Sequence, residues 1–193
     1  LDKIFGAPSI FINIGGITNV TCFHSIEKFE VPMFASDIGP GNCLIDEWVR
    51  KNSNKKFDKD GLIAKSGKIN KLILNQAIDN FEGIVNNSLD IKDFDISFAR
   101  GLSLEDGAST ITNFTAEIIT SSLKKLLDKN KYHSGTEGPK FLVCGGGRKN
   151  KYLMSLIQNK IIRYKCFEII DKYNIDGDFI ESQAFAFLAI RSI

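Results

Sequence analysis

The chain has 193 residues, enough for one well-packed α/β domain or somewhat more, with an ordinary globular balance of 43% hydrophobic and 25% charged residues. With 25 basic and 23 acidic residues the formal charge is only +2, and no basic stripe with interleaved aromatics is present, which argues against a nucleic-acid binder. No run of about 18 apolar residues offers a membrane span, and four scattered cysteines (Cys22, Cys43, Cys144, Cys166) without C-x-x-C spacing fit a reducing, cytoplasmic compartment.

The sequence opens Leu-Asp-Lys without Met and has no charged leader before an apolar run, so no signal peptide is expected. The opening reads as cut from a longer polypeptide. Ser9–Ile14 (SIFINI) and Ile17–Phe23 (ITNVTCF) are β-prone runs split by Gly15-Gly16, the pattern of a tight hairpin. Val31–Ala35 supplies a third strand, followed by a Gly-Pro-Gly turn. Leu44, Ile45, Trp48 and Val49 then recur at helical spacing, with Asn42 placed to cap the helix.

A helical pattern runs from Asp60 to Asn80, interrupted at Gly67. Phe81–Phe98 is irregular, with a short strand expected near Ile96. Ser103-Leu104-Glu105-Asp106 resembles a capping box at the head of a long amphipathic helix through Ile111, Phe114, Ile118, Ile119, Leu123 and Leu126. Lys131–Pro139 is a polar loop. Phe141–Cys144 reads as a buried strand ending at Gly145-Gly146-Gly147, then a helix with Leu153, Leu156, Ile157 and Ile161 on its apolar face. Tyr164–Ile170 is another strand and Phe179–Ile193 a last helix. A hairpin followed by strand–helix alternation predicts a mixed sheet covered by helices, and fits neither a TIM barrel nor an all-parallel Rossmann unit.

Three features could carry chemistry. Gly15-Gly16 is either a plain turn or a place where bare backbone N–H groups approach a phosphate, with Asn13, Thr18 and Asn19 flanking it. Gly145–Gly147 is either a packed turn or a nucleotide loop that sets a helix N-terminus beside open space, although neither the P-loop nor the G-x-G-x-x-G fingerprint is present. Asp37 is either an Asx-type turn stabiliser or a general base aimed by the rigid loop. Asp58-x-Asp60-Gly61 lacks the remaining ligands of a calcium loop and reads as the start of a helix. Asp178-Phe179-Ile180-Glu181 is spaced as a reciprocal cap, and Arg148–Lys151 as a helix start. His24 and His133 are isolated, and no metal site is expected.

Five ordered blocks, NIGGITN (Asn13–Asn19), SDIGPGNCLID (Ser36–Asp46), GLSLEDGASTITNFTAE (Gly101–Glu117), VCGGGRKN (Val143–Asn150) and DGDFIESQAFAFLA (Asp176–Ala189), together resemble the anhydro-N-acetylmuramic acid kinase family. The resemblance implies one lobe of an actin-like ATPase, an α/β fold with a ribonuclease H-like mixed sheet flanked by helices. It implies an ATP- and Mg2+-dependent carbohydrate kinase that uses water to open a 1,6-anhydro sugar and phosphorylates the released O6, in bacterial cell-wall recycling. In that family the Asp of the D-x-G-P-G-N block activates the water, which maps onto Asp37, since a carboxylate can take water's proton. The resemblance further places nucleotide on Asn13, Gly15, Gly16, Asn19, Gly145, Gly146, Gly147 and Asn150, and substrate on the loop Gly39, Gly41 and Asn42.

Two departures stand out. The family's Gly-Thr-Ser-x-Asp-Gly phosphate loop is absent, so residues 1–193 are expected to be the C-terminal lobe, with an amino sugar and a missing N-terminal half as partners and a homodimer as a further assembly. A Pro-Lys-Ser segment of the family is replaced by Asn86-Asn87-Ser88. The alternative reading is a non-catalytic remnant that binds nucleotide or a partner, and a third is a shape-changing ATPase.

Overall fold

The apolar alternation of the first strand-like run is realised as β1 (Ser9–Ile14), whose Ile10, Ile12 and Ile14 are buried on one face. The computed structural model describes residues 9–23, 33–82, 88–129, 139–161 and 167–191. β2 (Ile17–Phe23) returns antiparallel to β1, setting Val20 opposite Ile12 and Cys22 opposite Ile10. β4 (Lys140–Cys144) lies parallel on the other side of β1, with Phe141 and Val143 completing that face. As a central parallel strand β4 is covered on both sides, which is why it reads as an unbroken apolar run. Its Leu142 and Cys144 face a second, smaller cluster with Ile170, joined by Phe11, Tyr173, Ile175 and Ile180.

β3 (Met33–Pro40) pairs antiparallel with β2, and β5 (Phe167–Ile169) parallel with β4, giving the order β3-β2-β1-β4-β5 with β2 reversed against the rest. This is the ribonuclease H-like sheet. Helices follow as α1 (Cys43–Asn52), α2 (Leu62–Ser66), α3 (Lys71–Glu82), α4 (Leu104–Lys129), α5 (Lys151–Lys160) and α6 (Ile180–Arg191). The 26-residue α4 is the spine of the helical layer, in contact with β3, α1, α2, α3 and α5. Its Ile111, Ile119, Leu123 and Leu127 are fully buried, each contributing roughly 1.5–3 kcal/mol of burial. Gly107 lets α1 approach: a Cβ there would sit 2.1 Å from Trp48 Cζ2, and the Trp48 indole donates to the Leu104 carbonyl at 2.9 Å.

Several expectations need correction. β3 does not stop at Ala35 but runs through Asp37 to Pro40. The Gly-Pro of the supposed turn is therefore strand, admitted because β3 is an outer strand. Asn42 stands at the head of α1 but makes no side-chain cap. No strand forms at Ile96, where 3-10 turns over Ile91–Asp93 and Ser97–Ala99 flank it instead. The Asp60–Asn80 stretch, by contrast, is helical and interrupted at Gly67 as expected, opening with a 3-10 turn (Lys59–Gly61) and continuing as α2 and α3; a Cβ at Gly67 would meet the Glu105 carbonyl at 2.0 Å. The capping box at Ser103 is half made: Ser103 accepts the Asp106 N–H, while the Asp106 carboxylate accepts the Lys68 N–H. The expected strand over Tyr164–Ile170 is confined to Phe167–Ile169 among the described residues. His24, Asn86, Asn87, His133, Cys166 and all of the Lys131–Pro139 loop but Pro139 lie outside them.

Candidate functional site

The Gly-Gly hairpin and the loop after β3 are bolted together by backbone. The Gly15 carbonyl accepts the Asn42 N–H at 2.8 Å, and the Gly16 carbonyl accepts those of Gly41 at 2.8 Å and Cys43 at 3.2 Å. Gly41 has to be glycine, because a Cβ would stand 2.2 Å from the Gly15 oxygen. Gly15 and Gly16 are different. Neither has a positive φ, and a Cβ would meet nothing nearer than 3.5 Å at Gly15 or 3.7 Å at Gly16. Neither conformation nor packing demands a bare backbone at these two positions.

Asp37 is held by strand pairing rather than by a turn, so it is not an Asx residue. It lies opposite Asn19, which lies opposite Asn13, which lies beside Cys144 in the parallel pair. Directly opposed residues share a face, so these four form one row across four strands. The Cys144 thiol donates to Asn13 Oδ1 at 3.8 Å. Asp37 Oδ2 accepts the Leu89 N–H at 2.9 Å. Immediately after it the register slips, leaving Ile38 as a bulge whose carbonyl accepts the Ser122 hydroxyl at 2.8 Å from α4. Gly39 is pressed on the same helix, where a Cβ would meet Ile118 Cγ2 at 2.5 Å. The core thus fixes the strand on which Asp37 sits.

The three glycines after β4 have three different surroundings. Gly145 adopts φ +80°, and a Cβ would stand 2.4 Å from Asn13 Oδ1. Its N–H donates to the Gly177 carbonyl at 2.9 Å. Gly147 packs on Ile14, where a Cβ would come within 2.2 Å of Cγ2. Gly146 is open, with only Asn42 Nδ2 at 3.8 Å from a hypothetical Cβ. The glycines do not feed directly into an α-helix as expected: a 3-10 turn over Gly146–Lys149 intervenes, and α5 starts at Lys151 with Asn150 Oδ1 capping the Leu153 N–H at 3.0 Å.

A cavity of about 520 Å³ opens between the head of α1, the 57–60 stretch and the 146–150 turn. Asn42, Asp46, Phe57, Lys59, Gly146 and Asn150 line it, so residues from two predicted loops meet there. Asp58 also lines it, but its two oxygens are taken by the Ile63 and Ala64 N–H groups at 2.8 and 2.9 Å, the helix start read from the sequence. Asp46 had been given no role. Burial pushes its carboxyl up to about 6, opposed by Arg50 and reinforced by Asp58. Its spacing, one helical turn after Asn42 inside the SDIGPGNCLID block, was the available signal.

Arg148 was also missed. Its guanidinium is 5% exposed, grips Asp171 with two nitrogens at 2.7 and 2.9 Å, pairs with Asp178, lies 3.6 Å from Asp176, and donates to the Gly145 carbonyl at 3.0 Å. Hydrogen bonds to Asp171 and Asp178 hold the guanidinium protonated more firmly than usual, and both carboxyls are held below their ordinary range. The basic run at 148–151 is therefore no mere helix start. The Asp178 carboxylate, expected to cap α6, is taken by Arg148 and Lys149 instead. Together with the Gly145–Gly177 bond this fastens the glycine loop to the segment ahead of α6. Among the described residues no group of three or more His, Cys, Asp and Glu is placed to hold a metal ion, and no helix is long and apolar enough to cross a membrane.

The family model described as anhydro-N-acetylmuramic acid kinase matches residues 6–193. Curated relatives of that name include one from Pelagibacter ubique, 50% identical over 190 residues, covering 96% of this chain and 48% of the relative. Others come from Rhodospirillum rubrum, 35% identical over 193 residues with 99% and 48% covered, and Zymomonas mobilis, 32% identical over 188 residues with 96% and 48% covered. The chain spans about half the length of the curated relatives it matches. Among solved structures, an activator of the 2-hydroxyisocaproyl-CoA dehydratase from Clostridium difficile with bound ADPNP aligns over 87% of this chain and 55% of that one. At 13% identity and a TM-score of 0.47 the similarity is too low to carry a conclusion.

Proposed function

The chain belongs to the anhydro-N-acetylmuramic acid kinase family, and from that premise we propose that it is the C-terminal lobe of an ATP-dependent kinase of 1,6-anhydro-N-acetylmuramic acid. It works together with the N-terminal half of the kinase, which carries the first phosphate loop, in the cytoplasm, where ATP is supplied. The observation that carries this reading is the clamp between the Gly15-Gly16 hairpin and the Gly41–Cys43 loop. It puts the two glycines that packing does not require directly beside the strand that holds Asp37.

In this reading Asp37 takes a proton from water as the water oxygen bonds to the anomeric carbon of the sugar. The bond from that carbon to O6 breaks, O6 attacks the γ-phosphorus of magnesium-ATP, and ADP leaves with N-acetylmuramic acid 6-phosphate as the other product. Bound together with the nucleotide, magnesium would neutralise phosphate charge during transfer. The backbone of the Gly15-Gly16 hairpin bears on the phosphates and the Gly145–Gly147 loop on the adenosine half, with Asn13 and Asn19 in the row of paired residues that ends at Asp37. Such fixed donors act by electrostatic stabilisation and positioning.

The test is to mix the chain with a separately produced N-terminal half, magnesium-ATP and the anhydro sugar, and to look for the 6-phosphate. Product that requires both halves and vanishes in Asp37→Asn supports the proposal. Product undiminished by that substitution sinks the base assignment, and nucleotide binding without turnover in the reconstituted pair favours the non-catalytic remnant.

A further inference from the structure

We propose that Asp46 holds the ribose hydroxyls of the bound nucleotide, making the cavity at the head of α1 the nucleoside half of the site. The inference rests on the kinase reading above and adds a specificity residue to it.

The cavity has the right size and lining. At about 520 Å³ it lies within the range of small-ligand pockets, and it is walled by an aromatic ring (Phe57), a bare backbone (Gly146) and a few polar side chains. Of the three carboxylates in its lining, Asp46 is the uncommitted one. Asp58 is occupied by the start of α2, and Asp60 pairs with Lys151 at 3.1 Å. Among the described residues no hydrogen bond or ion pair engages the Asp46 carboxyl. A partly desolvated acceptor with no donor is unfavourable in the empty cavity and is relieved when a ligand brings one.

Position selects the donor. The Asn42 backbone is fixed to the hairpin carbonyls where phosphates are expected. Asp46 follows it by one turn on the same face of α1, a rise of about 5.4–6 Å. That is roughly the step from a phosphate chain to a ribose. A further phosphate beside Asp46 is excluded by like charge. A carboxylate with two free oxygens suits a pair of neighbouring O–H donors better than a single amine. Phe57, 55% exposed, remains as a flat apolar surface for the base.

Affinities of the chain combined with the N-terminal half for magnesium complexes of ATP, 2′-deoxy-ATP, 3′-deoxy-ATP and inosine triphosphate, measured by calorimetry for wild type and Asp46→Asn, test this. A hydrogen bond to a charged acceptor implies that wild type prefers ATP over each deoxy form by about 10-fold or more. Asp46→Asn should lose most of that preference while melting as a folded protein. Because the readout is a ratio within each variant, a general loss of affinity does not mimic it. Preference retained by Asp46→Asn overturns the proposal. So does a preference for ATP over inosine triphosphate that disappears in its place, which would assign Asp46 to the base. Wild type that binds ATP without reading the ribose sinks Asp46 alone, whereas wild type that binds no nucleotide sinks the kinase reading with it.

Discussion

The Asp37 carboxylate accepts the Leu89 N–H at 2.9 Å across 52 residues of chain, through Oδ2 alone. An amide oxygen can accept the same N–H, so Asp37→Asn keeps the contact and removes the base. We expect its stability to stay within about 0.5 kcal/mol of wild type while 6-phosphate formation by the reconstituted enzyme falls by about 10²–10⁴. Asp37→Ala instead leaves the Leu89 N–H without its acceptor and should cost about 1–3 kcal/mol in denaturant unfolding. Equal destabilisation by both substitutions would mark Asp37 as a structural residue.

Two glycines of the candidate site should respond in opposite ways. Gly41→Ala drives a methyl to 2.2 Å from the Gly15 oxygen, and relief requires opening the clamp. A loss of about 1–3 kcal/mol is expected, the usual scale of overpacking. Gly146→Ala meets nothing closer than 3.8 Å, so its melting temperature should hardly move. Its methyl would occupy the face offered to nucleotide, and affinity should fall several-fold in calorimetry. A Gly146→Ala chain that binds ATP normally would remove Gly146 from the site.

What the sequence made legible follows its periodicities. The alternating isoleucines of β1 and the long amphipathic stretch of α4 fix the sheet's centre and the helix that covers it, because burial on one face leaves a repeating pattern. β3 was read too short because Gly39 and Pro40 signal a turn in local propensity. Here pairing with β2 and the packing of Gly39 on Ile118 override that signal. Arg148 was unreadable for another reason: its partners stand 23 to 30 residues further on, and ion-pair geometry leaves no trace in spacing. The Gly-Gly, Asp37 and triple-Gly elements were each visible, but only sheet register shows that Asp37, Asn19, Asn13 and Cys144 line up.

Arg148 joins a nearly buried cation to three carboxylates and to the glycine loop, and it should behave as one unit. Arg148→Met strands Asp171, Asp176 and Asp178 around an apolar side chain. A loss of about 1–2 kcal/mol is expected, because the carboxylates left behind are 35–55% exposed and solvent screens them. Arg148→Lys should not restore it, since one ammonium cannot reproduce the two-nitrogen grip on Asp171 while reaching the Gly145 carbonyl. The pH dependence has a defined sign. Asp171 and Asp178 are held below their ordinary range. Their contribution is therefore complete above about pH 4 and is lost as pH falls through the lower folded values. Wild type should lose stability as pH falls below about 4, and Arg148→Met should show a shallower acid limb there. Identical acid limbs would show that the network does not govern acid unfolding.

Asp46 carries the opposite sign, which makes it separable. Its folded carboxyl is raised from 3.8 to about 6, chiefly by burial, with Asp58 reinforcing and Arg50 opposing. Between those values the native state holds more protons than the unfolded chain, so stability declines as pH rises from about 4 to about 6 and then levels. Asp46→Asn removes that decline. The variant should match wild type near pH 4 and exceed it at pH 7 by about 1 kcal/mol, a figure reduced for the part of the group that solvent screens. A gain in stability on removing a charged group is what a binding residue unfavourable to the empty fold produces. Binding carries the complementary signature. Ribose hydroxyls donate only to the ionised carboxylate in the way proposed, so nucleotide uptake near pH 6 should release a proton from Asp46. ATP affinity should therefore rise between pH 5 and 7 more steeply in wild type than in Asp46→Asn. The comparison between the two chains cancels titration of the nucleotide's own phosphates, and parallel curves would exclude Asp46 as the acceptor.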